Sequence, residues 1–251
     1  MPYSKVHNLL FIHIPKNAGK TIEILFGVHD SYQGSPNSRN KLNAFFKFAL
    51  NKSKNFTAEE TLMGVIDRSV TAQHLTLQEI RLGNYIELEK LESMNILATI
   101  RHPYTRAFSL FNHWVKNNKS DDKVEEAFNF FLREVPKLRA STKHNQASHF
   151  RQQVDFLRDT NGSINKVDLI RLESFETDLT SYLTLKEYKL EPSTILGGSK
   201  IESDSKLRDI ALSKRNKLMI EELFKGDFTL LGYSADSVYS INLVYFSMDC
   251  S

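Results

Sequence analysis

The feature that most constrains this chain is a short apolar run, Leu9 to Ile14, that stops at Pro15 and passes within four residues into helical spacing. Asn8–Ile14 reads as a buried strand. Pro15–Ala18 reads as a loop, and Gly19–Phe26 as a helix that turns Ile22, Leu25 and Phe26 inward and ends at Gly27. A helix entered this way aims its first-turn amides, which have no intrahelical partners, at whatever lies over the loop, and its dipole adds positive potential. The segment therefore has the makings of an anion site. Lys16 and Lys20 add full charges, Gly19 lets a ligand approach the backbone, and Thr21 offers a hydroxyl. Its plainer reading is an ordinary strand-to-helix turn with surface lysines.

The pattern recurs. Met94–Ile100 reads as a second buried strand, and Pro103 opens a helix to about Trp114. Arg101 falls at the carboxyl end of that strand, where open α/β sheets take their ligands. Ser109 lies about two helical turns on. Tyr104, Phe108, Phe111 and Val115 form an apolar stripe, and Thr105, Ser109 and Asn112 a second one that can face the crevice. An arginine fork and a hydroxyl converging there would clamp a second phosphate. Alone, the segment also fits a helix start with an arginine on the surface.

Further elements follow in alternation. A short strand is expected over Ser69–Gln73 and another over Lys166–Leu172. An amphipathic helix covers Asp121–Val135 with Pro136 as its stop, and Phe128 and Phe131 lie on its core side. Gln146–Arg158 reads as one helix with Phe150, Val154 and Leu157 on its core stripe. A helix starts near Ser174, and Ser203–Phe224 is mostly helical. Strands alternating with helices imply a parallel sheet covered on both faces, so the fold class is α/β: a P-loop-type three-layer sandwich with a central parallel sheet flanked by helices. With 251 residues, 41% of them hydrophobic, the chain suits a single domain over 1–251, with residues 30–60 as an insertion over the site and 234–251 as a C-terminal tail. The lone cysteine, Cys250, excludes an internal disulfide framework and a Cys-based zinc site. A net charge of +3 is far from that of a nucleic-acid-coating protein but permits a local basic pocket. No run approaches the roughly 18 apolar residues of a membrane span, and no secretory signal is evident.

Taken together, the motifs resemble a known family. The stretch Ile12-His-Ile-Pro-Lys-Asn-Ala-Gly-Lys-Thr21 resembles the 5′-phosphosulfate loop of sulfotransferases that use 3′-phosphoadenosine 5′-phosphosulfate (PAPS). Ile100-Arg-His-Pro-Tyr-Thr-Arg-Ala-Phe-Ser109 resembles their 3′-phosphate motif. The likeness is strongest to the carbohydrate branch, whose loop usually reads IHIPKTAGTS. His149–Leu157 resembles its HFRPQ-DFL stretch, Val167–Phe175 its DFIGRFENL stretch, and Phe224–Tyr233 its closing signature. Three positions depart from the pattern. Lys20 stands where the family carries a small residue or threonine, Gln152 replaces the proline of HFRPQ, and Leu231 replaces a phenylalanine.

The resemblance implies a sulfuryl transfer from PAPS to a hydroxyl of a carbohydrate-type acceptor. Lys16 would stabilise the leaving oxygen. Lys16, Asn17, Ala18, Gly19, Lys20 and Thr21 would hold the 5′-phosphate, and Arg101 and Ser109 the 3′-phosphate. His74, in Thr71–Thr76, matches the family's general base; His13 is the alternative. His149, Arg151 and Gln153 either face the ligands or form the polar face of a helix, and Arg171 and Glu173 suit a structural ion pair. No metal and no nucleic acid are expected. The competing reading is a P-loop kinase or NTPase, suggested by Ala-Gly-Lys-Thr at 18–21. It lacks the first glycine of a Walker loop, since that position is Ile14, and it lacks a magnesium-binding aspartate after the second strand. With no anchor or signal in sight, a cytoplasmic enzyme is expected, or a Golgi-lumen one if an N-terminal anchor has been removed.

Overall fold

The computed structural model describes residues 2–4, 6–28, 72–117, 124–164, 166–190, 209 and 211–235. Among these residues four strands form one sheet in the order β1 (Tyr3–Ser4), β2 (Leu9–Ile12), β3 (Asn95–Ile100), β4 (Asp168–Arg171). β1 runs antiparallel to β2, while β2, β3 and β4 are mutually parallel, with Leu9 opposite Asn95 and Ile100 opposite Arg171.

Successive side chains of a strand point to opposite faces, and here that alternation divides the apolar residues between two cores. Leu10, Ile12, Ile96, Ala98, Ile100 and Leu169 face one core, against Leu77, Ile80, Leu91, Phe156 and Leu157. Those partners come from helices α2 (Leu77–Leu82), α3 (Leu88–Glu92) and α7 (Gln153–Leu157). Leu9, Phe11, Leu97 and Ile170 face the other, against Ile22 and Phe26 beside α1 (Gly19–Leu25) and Leu179, Tyr182 and Leu183 of α8 (Phe175–Leu185). Helices therefore cover both faces of a mostly parallel sheet, as the pattern of alternating elements predicts. A third core lies off the sheet, where α4 (Pro103–Asn117), α5 (Val124–Arg139), α6 (His144–Phe150) and α9 (Lys214–Leu223) pack Tyr104, Phe108, Phe111, Phe128, Phe131 and Phe150 together. The last helix among the described residues, α10 (Lys225–Leu230), follows α9 directly. No helix among the described residues is long and apolar enough to cross a membrane.

Several local expectations are corrected. Pro136 does not end its helix; α5 runs on to Arg139. Arg139 ties that last turn to chain outside the helix, donating from Nε to the Phe150 carbonyl (2.9 Å) and from Nη2 to that of Leu223 (3.0 Å). The single helix expected over 146–158 is two, α6 and α7, separated by extended backbone at Arg151 (ψ 154°) and Gln152 (ψ 150°). The break has a cause in the core: buried Arg106 draws the carbonyls of Arg151 (3.0 Å) and His149 (3.4 Å) to its guanidinium. Ala72–His74 is a 3-10 turn, not the end of a strand. Residues 69–71 of that expected strand lie outside the described residues, as do the insertion at 30–60 and 236–251 of the tail.

Candidate active site

Parallel β2 and β3 are adjacent, so the loops that leave their carboxyl ends are neighbours. In the first loop Lys16 (φ 71°) and Ala18 (φ 58°) are left-handed. Ala18 is the N-cap of α1 and supplies no side-chain cap; its carbonyl accepts from the Thr21 amide (2.9 Å), so an anion would be met by the Gly19 and Lys20 amides ahead of it. Gly19 is needed for space: a Cβ there would stand 2.5 Å from His13 Nε2. Lys16 is half-buried, Lys20 exposed and Thr21 half-buried. The Asn17 side chain points inward and is fully buried; its amide donates to the Thr99 carbonyl (2.9 Å) and to Gln153 Oε1 (2.6 Å). Thr99 Oγ1 donates back to the Asn17 carbonyl at 2.6 Å. Asn17 thus can serve an anion only through its backbone, while its side chain bolts the loop to β3.

In the second loop Arg101 is half-buried. Its Nε donates to Thr105 Oγ1 (3.0 Å), and its Nη1 reaches the Lys16 carbonyl at 3.4 Å. The Arg101 side chain is thereby set against the backbone of the first loop. Ser109 is half-buried on α4, between buried Thr105 and exposed Asn112, so that stripe grades from core to solvent. The hydroxyls of Thr21 and Ser109 make no hydrogen bond to any described residue, which leaves both available to a ligand.

His74 sits beside the first loop. Its Nδ1 is 3.1 Å from the His13 carbonyl. A carbonyl only accepts, so Nδ1 carries the proton and Nε2 keeps a lone pair. Its ring packs edge-to-face on His13 (4.9 Å) and on His149 (5.1 Å), and His149 stacks on His113 (5.2 Å). Burial first, then the charges of His13 and His149, hold the His74 pKa well below the ordinary 6.5. Burial, with contributions from His113, Arg106 and Lys16, brings His149 down to about 4. At neutral pH both imidazoles are uncharged, the state a proton acceptor needs.

The family assignment follows from the chain as a whole. The model of the sulfotransferase family matches residues 2–234, the span that holds both loops, His74 and the closing segment. The chain belongs to the sulfotransferase family. Neither a curated protein nor a solved structure matches it.

Within this candidate site, four structural residues escaped the sequence reading or were left open by it. Gln153, fully buried, joins three motifs. Its Oε1 accepts from Asn17 Nδ2 (2.6 Å) and the Arg101 amide (2.8 Å), and its Nε2 donates to the Arg101 carbonyl (2.7 Å) and to Asp227 Oδ2 (3.2 Å). It is a tie between the loops, not a ligand contact. Arg106, almost fully buried, donates to the Pro15 carbonyl (3.3 Å) and lies 3.9 Å from Asp227; burial lowers its pKa to about 10, which leaves it charged. Glu23, 1% exposed, binds His13 Nδ1 at 2.5 Å. Arg151, also left open, donates to Glu79 Oε1 (2.8 Å) and so ties the α6–α7 break to α2. Arg171 and Glu173 converge on Tyr233: the guanidinium lies 5.0 Å over its ring, and Glu173 accepts from its hydroxyl at 3.3 Å.

Proposed function

We propose that this sulfotransferase takes its sulfuryl group from PAPS and delivers it to a hydroxyl of a carbohydrate-type acceptor. The observation that carries the donor assignment is the Arg101 guanidinium against the Lys16 carbonyl. It sets a second cation, with the Ser109 hydroxyl on the helix that follows, beside the first anion loop. A donor with phosphates at both the 5′ and 3′ positions needs two such sites; ATP does not. Gly19, the uncapped start of α1 and the unpaired Thr21 hydroxyl fit the 5′-phosphate. The acceptor class rests on the motifs at 149–157, 167–175 and 224–233.

In the proposed reaction the acceptor oxygen bonds to sulfur as the bond from sulfur to the 5′-phosphate oxygen breaks. The acceptor proton passes to His74 Nε2, and the electron pair stays on the leaving oxygen, where Lys16 stabilises it. As in phosphoryl transfer, positioning and electrostatics supply the acceleration. His74 suits its role through its tautomer, and its low pKa keeps it unprotonated at working pH.

Calorimetric titration with adenosine 3′,5′-bisphosphate, AMP and ATP–Mg tests the donor. The bisphosphate should bind tightest, with or without EDTA. Equal affinity for bisphosphate and AMP, or a strict requirement for magnesium with ATP, overturns the reading. A screen of hydroxyl-bearing glycans with radiolabelled PAPS tests the acceptor class, and transfer confined to non-carbohydrate hydroxyls overturns that part alone.

A further inference from the structure

We propose that Glu23, acting through His13 and Gln73, is the positioning residue for His74; the catalytic part of this rests on the transfer reading above. Glu23 lies on α1 with its side chain 1% exposed, a place where a carboxylate is retained only if it is paired. Its Oε1 accepts from His13 Nδ1 at 2.5 Å and from Gln73 Nε2 at 3.2 Å. These two partners flank the base. His13 supplies the carbonyl that fixes the His74 Nδ1 proton, and Gln73 is the residue before His74 in the 3-10 turn. One carboxylate therefore straps the end of β2, the first helix and the turn carrying His74 into a single unit.

The strap is closed on its far side. The His13 ring lies so near Gly19 that no side chain fits between them, which holds the imidazole between the phosphate loop and Glu23. Its ring in turn meets the His74 ring at 4.9 Å. When His74 takes the acceptor proton, the new cation has the Glu23 charge one ring away. The other titratable groups around His74 are His149 on α6 and, behind it, His113 and Arg106 on α4 and Lys16 in the loop. Among the described residues Glu23 is the carboxylate bonded to His13, and burial, which pushes its pKa up, is outweighed by its bond and charge interaction with His13, so it stays ionised.

Two readouts test the proposal: 15N spectra of the histidine rings in the free protein, and steady-state kinetics. In the wild type at pH 7, His74 should be the Nδ1–H tautomer. Glu23→Ala should admit the Nε2–H tautomer and lower kcat on the order of 10–100-fold, the range that holds for the outer partners that orient metal-bound histidines. Affinity for adenosine 3′,5′-bisphosphate should stay within about 3-fold. Glu23→Gln, which keeps an oxygen for His13 Nδ1, should restore the tautomer and most of the rate. In a His74→Ala background, Glu23→Ala should cost nothing further. An unchanged His74 tautomer in Glu23→Ala, or an equal loss in both backgrounds, overturns the proposal. Should Glu23→Ala not fold, Gln73→Leu cuts one strap only and carries the same test: a loss of kcat that vanishes with His74→Ala supports it, and an additive loss overturns it. If the wild type transfers nothing from PAPS, the proposed function fails, while the tautomer measurement still decides what Glu23 does.

Discussion

In the proposed reaction the two loops at the carboxyl ends of β2 and β3 would solve the same task with different means. The first is built on backbone. Two non-glycine residues take left-handed conformations, and the short helix that follows has no side-chain cap. The second spends its helix start internally. Pro103 has no amide hydrogen, the Tyr104 amide donates to His102 Nδ1 at 3.2 Å, and His102 Nε2 donates to the Ser234 carbonyl at 3.1 Å. Glu173 takes the His102 amide at 2.8 Å. In the proposed complex an anion at the second loop would therefore be held chiefly by side chains, Arg101 and Ser109, whereas the first would hold one with amides. Backbone recognition suits a group whose charge changes during reaction, because fixed dipoles need no reorganisation. Side-chain recognition suits a spectator phosphate that identifies the nucleotide.

The largest effect that could break this comparison is at Lys16. In the first loop it is the one half-buried cation, while Lys20 is exposed in the first turn of α1. Lys16→Ala should lower kcat by about 10²–10³, and Lys20→Ala should chiefly weaken nucleotide binding, by about 10-fold or less. Turnover and bisphosphate affinity measured on both variants decide it. A dead Lys20→Ala enzyme beside an active Lys16→Ala enzyme would mean that the loop works as a kinase loop does.

The second loop predicts a change of selectivity instead of rate. Arg101→Ala should weaken adenosine 3′,5′-bisphosphate by about 10-fold or more, since a hydrogen bond to a charged group is worth roughly 1.5–3 kcal/mol, and leave AMP unchanged. Ser109→Ala should do the same to a smaller degree. Arg101→Lys should recover little, because a point charge does not replace a planar fork. Equal losses for both nucleotides would show that Arg101 serves the first loop through the Lys16 carbonyl and reads no phosphate of its own.

Acid should separate the two regions further. His74 and His149 border the first loop with lowered pKa values, His149 at about 4. Unfolded histidines take protons near 6.5, so between that pH and about 4 the unfolded chain binds more protons, and stability falls as pH drops. Glu79 acts below that window. Burial raises its pKa, but His144, the Thr76 amide and Arg151 bring it down to about 2, so its contribution is present above 4.5 and lost as pH falls towards 2. Arg106, the anchor shared with the second loop, stays charged throughout. Hydrogen exchange at pH 5 should rise first around residues 13–21 and 72–74, and His149→Gln should flatten the decline in melting temperature between pH 7 and 5. Uniform loss of protection would mean that the histidines do not govern acid stability.

Much of this frame was legible in the sequence because it is local. Apolar runs marked β2, β3 and β4, and the stripes at 104–115 and 124–135 marked α4 and α5. What was not legible rests on distant partners. Nothing near Pro136 announces that Arg139 will bind the carbonyls of Phe150 and Leu223. Gln153 reaches Asn17 across 136 residues, and periodicity leaves no trace of such a bond. The break between α6 and α7 did have a signal. The resembled motif carries a proline where Gln152 stands, and a proline there marks a boundary whether or not this chain keeps it. Glu23 offered a weaker sign, a carboxylate beside Ile22 and one turn before Phe26 on the inward side of a short helix. Its partner is only ten residues away, but the strand, loop and helix between them had to be folded first.

The smallest predicted effect concerns the left-handed backbone itself. Ala18 sits at φ 58°, ψ 24°, a conformation that costs a residue with a Cβ roughly 1–2 kcal/mol. Ala18→Gly removes that cost and adds about 0.4–1 kcal/mol of unfolded-chain entropy. The net expectation is a stabilisation of about 0.5–1 kcal/mol, read as a slightly raised denaturation midpoint. Ala107→Gly in α4 is the matched contrast. It sits 1% exposed in a helix interior of ordinary geometry, so it should destabilise by about 1 kcal/mol from propensity alone, and by more for the buried methyl. Opposite signs for the same chemical change would confirm that the first loop is held in a strained shape and that the interior of α4 is not. If both variants destabilise alike, the left-handed loop is not the resting form of the free protein, and the amides would have to be organised by the nucleotide when it binds.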